Sequence, residues 1–256
     1  TGYSRNIWLN IVIMLLIITG GIGFLTWEDF YTNKFKFKRY RMQSKVILIT
    51  TAILIIAPAV FFFACDFGNL PAGKRLLASV FQSVTTRTAG FNTEDLSLMT
   101  EAGKAVMILL MLIGGSPSST AGGMKTTTFA VLILNALATF RSREDAGAFG
   151  RRFDGQVVKN AATIAMMYFM LFFFGGITIS VYEGLPLLTC LYEAASAVGT
   201  VGLTLGITPE LHIISRLILI ALMYLGRVGG MTLIYAVFSR KNNNGAKMPL
   251  EKITVG

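Results

Sequence analysis

The segment "NLPAGKRLLASVFQSVTTRTAGFN", from Asn69 to Asn92, decides how this chain folds. A proline near its start, Pro71, is of the kind that a helix tolerates in its first turn, and the segment continues as a helical pattern that ends in a Thr-x-Gly loop. The helical part, Ala72 to Thr85, is too short to cross a bilayer at about 1.5 Å per residue. A short helix followed by a glycine loop predicts a re-entrant element if the rest of the chain lies in a membrane.

Composition indicates an integral membrane protein. The chain is 54% hydrophobic and 14% charged, with a mean hydropathy of +0.63, outside the usual balance of soluble domains. Only two separated cysteines and one histidine are present, so neither a metal cluster nor a nucleophile with its base is expected, and the chain is not predicted to be an enzyme. Four apolar runs are long enough to span as helices: Ile7 to Leu25, Val46 to Ala64, Ala161 to Val181 and Ile213 to Phe238.

The net charge of +10 is concentrated between and after these spans. Because positive loops stay on the cytoplasmic side, these segments predict a multi-pass cell-membrane protein with cytoplasmic basic loops and a cytoplasmic C-terminal tail. Contact with membrane lipids explains the charge, and nucleic acid is not an expected partner. The basic stretches are Asn33 to Lys45, Arg141 to Arg152 and Ser239 to Lys252.

The opening segment has a second copy in the chain. "RTAGFN" and "GTVGLT" share a T-x-G core, and Gly202 lies 112 positions after Gly90. The second copy is also preceded by Leu-Pro and a short helical pattern, Leu187 to Val198. "MLIGGS" and "MYLGRV" keep the same spacing, but the following "GGM" motifs are only 107 positions apart. Five residues within "SPSSTA" are therefore extra in the first copy.

The repeated unit consists of an outer helix, a short pore helix, a glycine loop and an inner helix. An all-α membrane fold with such units around a pseudo-fourfold pore is predicted, and the chain is expected to be the C-terminal part of a four-unit protein. Residues 1–32 are assigned to the inner helix of an incomplete preceding unit, 33–45 and 141–160 to cytoplasmic linkers, and 239–256 to the tail. The third unit covers 46–140, with outer helix 46–64, pore helix 72–85, filter 86–91 and a broken inner helix 105–140 that contains the insertion 114–123. The fourth unit covers 161–238, with outer helix 161–181, pore helix 187–198, filter 199–203 and inner helix 213–238.

Glycine loops at membrane depth indicate a pore. Non-helical backbone is tolerated there only where protein or water surrounds it, and glycine lets carbonyl oxygens turn inward to replace the hydration shell of a cation. Close helix packing through small residues is the simpler alternative for one isolated loop. A secondary transporter of another small solute with broken helices is the second alternative.

"TTRTAGFNT" and "SAVGTVGLT" resemble the third and fourth filter loops of the Trk/Ktr/HKT superfamily of cation transporters, and most closely those of the potassium-translocating subunits of bacterial Ktr systems. The resemblance implies gated potassium uptake, with potassium bound by backbone carbonyls of the loops and sodium as a possible modulator. The residues implied are Thr86, Arg87, Thr88, Ala89 and Gly90 in the third loop, and Val198, Gly199, Thr200, Val201 and Gly202 in the fourth.

The same resemblance implies that "GGSPSSTAGG" is an intramembrane gate and that Arg227 faces it. It further implies a homodimer on a cytoplasmic RCK-type regulatory ring, with ATP and ADP bound by that partner. The gate residues are Gly114, Gly115, Ser116, Pro117, Ser118, Ser119, Thr120, Ala121, Gly122, Gly123, Lys125 and Arg227.

The isolated charges carry further expectations. A lone arginine within an apolar span normally faces a partner, so Arg227 is expected to donate hydrogen bonds to carbonyls or hydroxyls of the insertion. Glu193 is expected to brace the fourth loop, with Gln82 in a comparable place on the third short helix. Arg87 is a candidate ion-pair partner of such a carboxylate. His212 is expected at the outer rim, and Lys125 flanks the insertion on its cytoplasmic side.

Overall fold

The computed structural model of the protein describes residues 6–143 and 145–228. Its architecture is helical, as predicted. The described helices are α1 (Ile7–Ile22), α2 (Phe24–Asn33), α3 (Met42–Cys65), α4 (Ala72–Thr85), α5 (Glu101–Leu112), α6 (Thr126–Phe140), α7 (Gly155–Glu183), α8 (Leu187–Val198) and α9 (Ile213–Val228). Short 3-10 turns lie at Phe37–Arg39, Leu96–Leu98 and Thr208–Glu210. The tail and the predicted part of the last inner helix beyond Val228 lie outside the described residues.

A small β-hairpin in the second basic linker was not predicted. Strands β1 (Gly147–Ala148) and β2 (Arg151–Arg152) pair in antiparallel register. At the turn, Phe149 and Gly150 both have positive φ, which closes the short connection. The hairpin carries Phe149 to the first basic linker, where the Nζ atom of Lys45 lies 5.6 Å from the centre of its ring. The two basic linkers therefore meet at one end of the bundle.

Two helices, α3 and α7, are each long and apolar enough to cross a membrane, and α1 with α2 forms a third candidate if the bent pair is one span. The prediction of an uninterrupted helix from Ile7 to Leu25 is wrong, because the chain bends by 93° between α1 and α2. Gly23 makes the bend with a φ of +85°. A side chain there would overlap the carbonyl oxygen of Pro117, so both the conformation and the close approach require glycine.

The short helices α4 and α8 lie at the centre of the helix packing. Helix α4 packs against α3 and α1, while α8 packs against α7, α5 and α9. The α5–α8 contact is closed by Met107, Met111 and Tyr192, all fully buried. Polar residues such as Ser79 and Ser83 on α4 are also fully buried, so the C-terminal parts of both helices are surrounded by protein although neither helix is long enough to cross a bilayer.

Acidic side chains join the end of each long helix to the start of an inner helix. Asp66, which follows α3, accepts hydrogen bonds at Oδ1 from the backbone N–H and hydroxyl of Thr100, at 2.9 and 2.7 Å. Glu183, the last residue of α7, accepts the backbone N–H of His212 at 2.8 Å, and its other oxygen lies 2.8 Å from His212 Nδ1. These contacts fix the start of α5 and the start of α9.

Candidate functional site

Two loops, called loop 3 (residues 86–91) and loop 4 (residues 199–203), follow the C-terminal ends of α4 and α8. Their backbones share an uncommon conformation. Thr88 and Gly90 have φ of +64° and +72°, and Thr200 and Gly202 have φ of +52° and +92°. A positive φ is rare for a β-branched residue and is concentrated at functional sites. Its occurrence in both loops at equivalent positions indicates that the local backbone path is required.

The amide groups of loop 4 are bound by its own short helix. The N–H of Val201 donates to the carbonyl of Ser196 at 2.8 Å, and the N–H of Gly202 donates to the Ser196 hydroxyl at 3.2 Å. In loop 3 the N–H groups of Ala89 and Gly90 both donate to the carbonyl of Thr85, at 3.2 and 3.4 Å. The donors of both loops are therefore directed back to the helices.

The carbonyl oxygens of the same residues are the second feature of the loops, and those of Val198 and Val201 pack closely against Gly226 and Gly90. Among the residues that the structure describes, no hydrogen bond is donated to the carbonyls of 86–90 or of 198–202. Carbonyl oxygens without donors can take the place of water around a cation, and the C-terminal ends of α4 and α8 add negative dipoles. These ten residues are the ones that the sequence indicated for ion binding.

Loops 3 and 4 lie against each other. A Cβ atom built on Gly90 would overlap the carbonyl oxygen of Val201 and would lie 3.3 Å from the Cα of Gly202. The two sequence repeats therefore meet at their glycine cores.

Glu193 on α8 braces the chain that leaves loop 4. It is 4% exposed, and its Oε1 accepts the Thr204 hydroxyl at 2.6 Å and the Leu205 N–H at 2.9 Å. Its Oε2 accepts the Thr208 hydroxyl at 2.9 Å. The expected brace is present here, whereas Gln82 on α4 is buried and donates only to the sulfur of Met107 within the described part of the chain. A cleft of about 530 Å³ runs between loop 4 and α9, with Glu193 in its wall.

Arg87, within loop 3, does not form the ion pair considered from the sequence. Its side chain is buried, and its Nη2 atom lies 3.5 Å from the hydroxyl of Thr51 on α3. No carboxylate among the described residues contacts this guanidinium. The buried guanidinium of Arg87 therefore lies against α3.

The insertion, residues 114–123, leaves and re-enters the helical path through a narrow neck. The N–H of Gly114 donates to the carbonyl of Met124 at 2.8 Å, and the N–H of Met124 donates to the carbonyl of Leu112 at 3.2 Å. The hydroxyls of Ser116 and Thr126 lie 3.1 Å apart in the interior. These bonds hold the end of α5 beside the start of α6, so the broken helix is closed at its base.

One side of the insertion lies under loop 4. A Cβ on Gly122 would overlap the Oγ1 of Thr200, and a Cβ on Gly123 would lie 3.4 Å from the Cα of Gly199. Gly123 also has a φ of +67°. The contact with Thr200 leaves no space for a side chain at Gly122, whereas at Gly123 it is the positive φ that favours glycine.

Basic side chains hold the far end of the insertion. Arg227 on α9 donates from Nη1 to the carbonyl of Thr120 at 2.7 Å, in the segment where the sequence placed its partner. Lys125 donates from Nζ to the carbonyl of Ala121 at 2.6 Å. Two cations therefore bind adjacent carbonyls, and they neutralise the backbone dipoles exposed by the loss of helix.

The remaining side is held by the bend between α1 and α2, a contact that the sequence analysis missed. The N–H of Ser116 donates to the carbonyl of Gly21 at 2.9 Å, and the N–H of Phe24 donates to the carbonyl of Ser118 at 3.2 Å. The motif "GGIG" at residues 20–23 was the available signal, because its last glycine adjoins the insertion. Within residues 6–143 and 145–228 there is no cluster of three or more His, Cys, Asp or Glu residues that could hold a metal ion.

The profile of the family described as TrkH, cation transport protein, matches residues 1–245 of the chain. The chain belongs to the TrkH family. The predicted resemblance to the Trk/Ktr/HKT superfamily is therefore confirmed, and so is the helical membrane fold. This family consists of cation transport proteins and is not a family of enzymes.

Individual TrkH-family proteins match nearly the whole chain. It is 38% identical over 264 residues to the potassium/sodium uptake protein NtpJ of Enterococcus hirae, covering 99% of this chain and 58% of that protein. It is 34% identical over 254 residues to the Ktr system potassium uptake protein B of Bacillus subtilis, covering 97% and 57%. The chain thus spans little more than half the length of these curated relatives.

A solved structure shares the fold. The crystal structure of the potassium transporter TrkH from Vibrio parahaemolyticus matches with a TM-score of 0.76 over 93% of this chain and 53% of that chain, at 17% sequence identity. The arrangement of helices is thus that of a TrkH-family membrane protein.

Proposed function

We propose that the chain forms part of a potassium-uptake pore in the cell membrane, in which loops 3 and 4 supply half of a four-loop selectivity filter. The observation that carries this proposal is that, among the described residues, no hydrogen bond is donated to the carbonyl oxygens of 86–90 and 198–202. Both loops also have positive φ angles at equivalent positions. Oxygen ligands of this kind suit a dehydrated monovalent cation. Two relatives, a potassium/sodium uptake protein and a potassium uptake protein by name, support the same ion.

The insertion is the gate of this pore. It lies directly against loop 4 through Gly122 and Gly123, and it is held from α9 by Arg227 and from α1 and α2 by Gly21 and Phe24. A polar segment with few side chains beneath a filter obstructs the path of an ion, and breaking its few hydrogen bonds lets it move. Arg227 adds a positive charge on the same path, which opposes cation entry until the gate moves.

The assembly proposed around this pore is a homodimer on a cytoplasmic RCK-type ring that binds ATP or ADP, with sodium as a modulator. Two relatives carry the name of a Ktr system, which supports a system of several components. The basic linkers, which meet at Lys45 and Phe149, lie on the cytoplasmic side in this arrangement.

The test is cation uptake by the complete four-unit protein with Gly202→Ser. Because Gly202 has a φ of +92°, a serine strains the backbone of loop 4 and displaces its carbonyls. We expect weaker potassium uptake and a smaller preference over sodium, measured by competition between the two ions. Gly206→Ser is the matched control, since Gly206 has a φ of +96° with no atom near its Cβ position. Equal ion preference in both variants and the native protein would show that loop 4 is not the filter.

A further inference from the structure

The bend at Gly23 begins an elbow, defined here as residues 23–41, whose position is set by α1. Helix α1 has 16 residues, or about 24 Å at 1.5 Å per residue, against about 30 Å for the hydrocarbon core. If α1 crosses the membrane, its end at Ile22 lies close to the inner boundary. Helix α2 departs at 93° and therefore runs along the membrane surface and not through it.

The elbow exposes aromatic rings and cations together. Trp27, Phe30 and Phe35 form a ladder of edge-to-face contacts, with ring centres 5.8 and 5.2 Å apart. Phe35 is 88% exposed and Tyr31 is 89% exposed. Rings of this kind are enriched where hydrocarbon meets headgroups. The exposed cations that alternate with them along the chain are Lys34, Lys36, Lys38 and Arg39.

The positive charge of the elbow indicates that its partner is negatively charged. Lysine next to exposed aromatic rings matches a bilayer surface that carries anionic headgroups, because the rings enter the interface while the ammonium groups meet phosphate. The acidic side chains of α2 do not oppose this contact. Asp29 is buried, and Glu28 is paired with Arg41 at 3.1 Å.

The elbow is attached at both of its ends. At its start, Gly23 adjoins the carbonyl of Pro117 and the N–H of Phe24 donates to the carbonyl of Ser118, so the insertion is bound to it. At its end, Asp29 accepts the N–H of Arg41 at 3.0 Å and the hydroxyl of Ser44 at 2.6 Å. A force on the elbow is therefore transmitted between the membrane surface and the insertion.

We propose that the elbow binds anionic lipid headgroups of the cytoplasmic leaflet, and that this binding holds the insertion in its place under loop 4. The lipid binding is inferred from the exposed rings and cations of the elbow, whereas the effect of that binding on ion flux rests on the proposed function. Since lipid binding stabilises the arrangement described, anionic lipid lowers potassium flux, by about fivefold or more if the coupling is of ordinary strength.

Lipid binding is tested by the fluorescence of Trp27 in the complete protein, reconstituted in vesicles of phosphatidylcholine with brominated phosphatidylglycerol. The contribution of Trp27 is the difference between the native protein and Trp27→Phe. We expect it to be quenched, and quenching to be relieved in the variant Lys34→Gln/Lys36→Gln/Lys38→Gln. The matched variant Arg141→Gln/Arg151→Gln/Arg152→Gln loses the same charge from the other basic linker and stays quenched. Equal quenching in both variants would overturn the assignment of the surface.

Coupling is tested at the Phe24 N–H. Phe24→Pro removes this donor at the first residue of α2, a position that tolerates proline. Phe24→Ala removes the same ring but keeps the N–H. Deuterium exchange of residues 114–123 is expected to slow in phosphatidylglycerol vesicles, relative to pure phosphatidylcholine, for the native protein and Phe24→Ala but not for Phe24→Pro.

The same vesicles report potassium flux, which should fall with phosphatidylglycerol in the native protein and in Phe24→Ala but not in Phe24→Pro. Exchange that is the same in both lipids, or slowed in Phe24→Pro as well, would contradict the coupling. Absence of any potassium flux in the native protein would refute the proposed function and leave the fluorescence and exchange results to decide on the elbow.

Discussion

Gly122 of the insertion lies in contact with Thr200 of loop 4, so that a Cβ atom added to Gly122 would overlap the threonine hydroxyl and lie 3.0 Å from its Cβ. The two residues are far apart in the sequence, and their contact is what places the insertion beneath the loop. In the proposed function it is where the gate meets the filter.

Gly122→Ala is expected to separate gate and filter. The added methyl group has no space, because its neighbour Thr200 is held by its own N–H to the carbonyl of Ala197 at 3.0 Å. The insertion must move, and we expect faster and less regulated rubidium uptake in cells that lack other potassium-uptake systems. Gly73→Ala, where no atom lies near the Cβ position, is the control and should behave as the native protein. Uptake unchanged in Gly122→Ala would argue against an obstructing insertion.

Arg227→Gln is expected to release the far end of the insertion. Arg227 on α9 donates a hydrogen bond to the carbonyl of Thr120 in the insertion. A hydrogen bond from a charged donor contributes about 1.5–3 kcal/mol. Its loss removes both the tether and the positive charge, so basal uptake should rise. Arg227→Lys keeps the charge and should show a smaller rise. If both variants transport and respond to regulators as the native protein does, Arg227 has no part in gating.

Gly90→Ala is expected to reduce uptake more than Gly202→Ala. Both glycines have positive φ, which costs an alanine about 1–2 kcal/mol. At Gly90 the methyl group would also overlap the carbonyl oxygen of Val201, whereas at Gly202 the nearest atom is 4.0 Å away. Initial rates of rubidium uptake at matched expression test this order. Equal losses would mean that loops 3 and 4 are not in the contact described.

Glu193→Leu is expected to change ion preference rather than to abolish folding. The substitution removes the hydrogen bonds that hold the chain after loop 4 to α8. The hydroxyls of Thr204 and Thr208 and the N–H of Leu205 lose their acceptor. Glu193→Gln keeps one acceptor oxygen and should lie between the native protein and Glu193→Leu. Glu210→Gln, at an exposed carboxylate nearby, is the control. Potassium–sodium competition that is identical in all three variants would contradict the brace.

Glu183→Ala is expected to lower stability without altering ion preference. It removes the acceptor for the His212 N–H, directly before the start of α9, so this end of the helix is held less firmly to α7. Asp66→Ala removes the equivalent acceptor for Thr100 and should have a similar effect. Thermal unfolding in detergent measures the stability, and ion competition provides the control. A changed potassium–sodium ratio would place these acids in the ion path.

The positions of proline and glycine in the sequence predicted the local elements of this protein. Pro71 and Pro186 mark where the short helices begin, and Gly90 and Gly202 mark the loops that follow them, because proline and glycine restrict or release the backbone locally. Helices α4 and α8 begin directly after these prolines and end at Thr85 and Val198, five and four residues before the glycines. The lone charge of Arg227 in an apolar span likewise indicated that it needed a polar partner.

Which of these elements lie in contact became known from the three-dimensional structure. The left-handed conformations of Thr88 and Thr200 could not be predicted, because threonine disfavours them and only the surrounding contacts hold them. The bend at Gly23 lies against Pro117, and the brace at Glu193 uses hydroxyls more than ten positions further along the chain. Such contacts join residues that are distant in sequence, and no periodicity or local propensity records them.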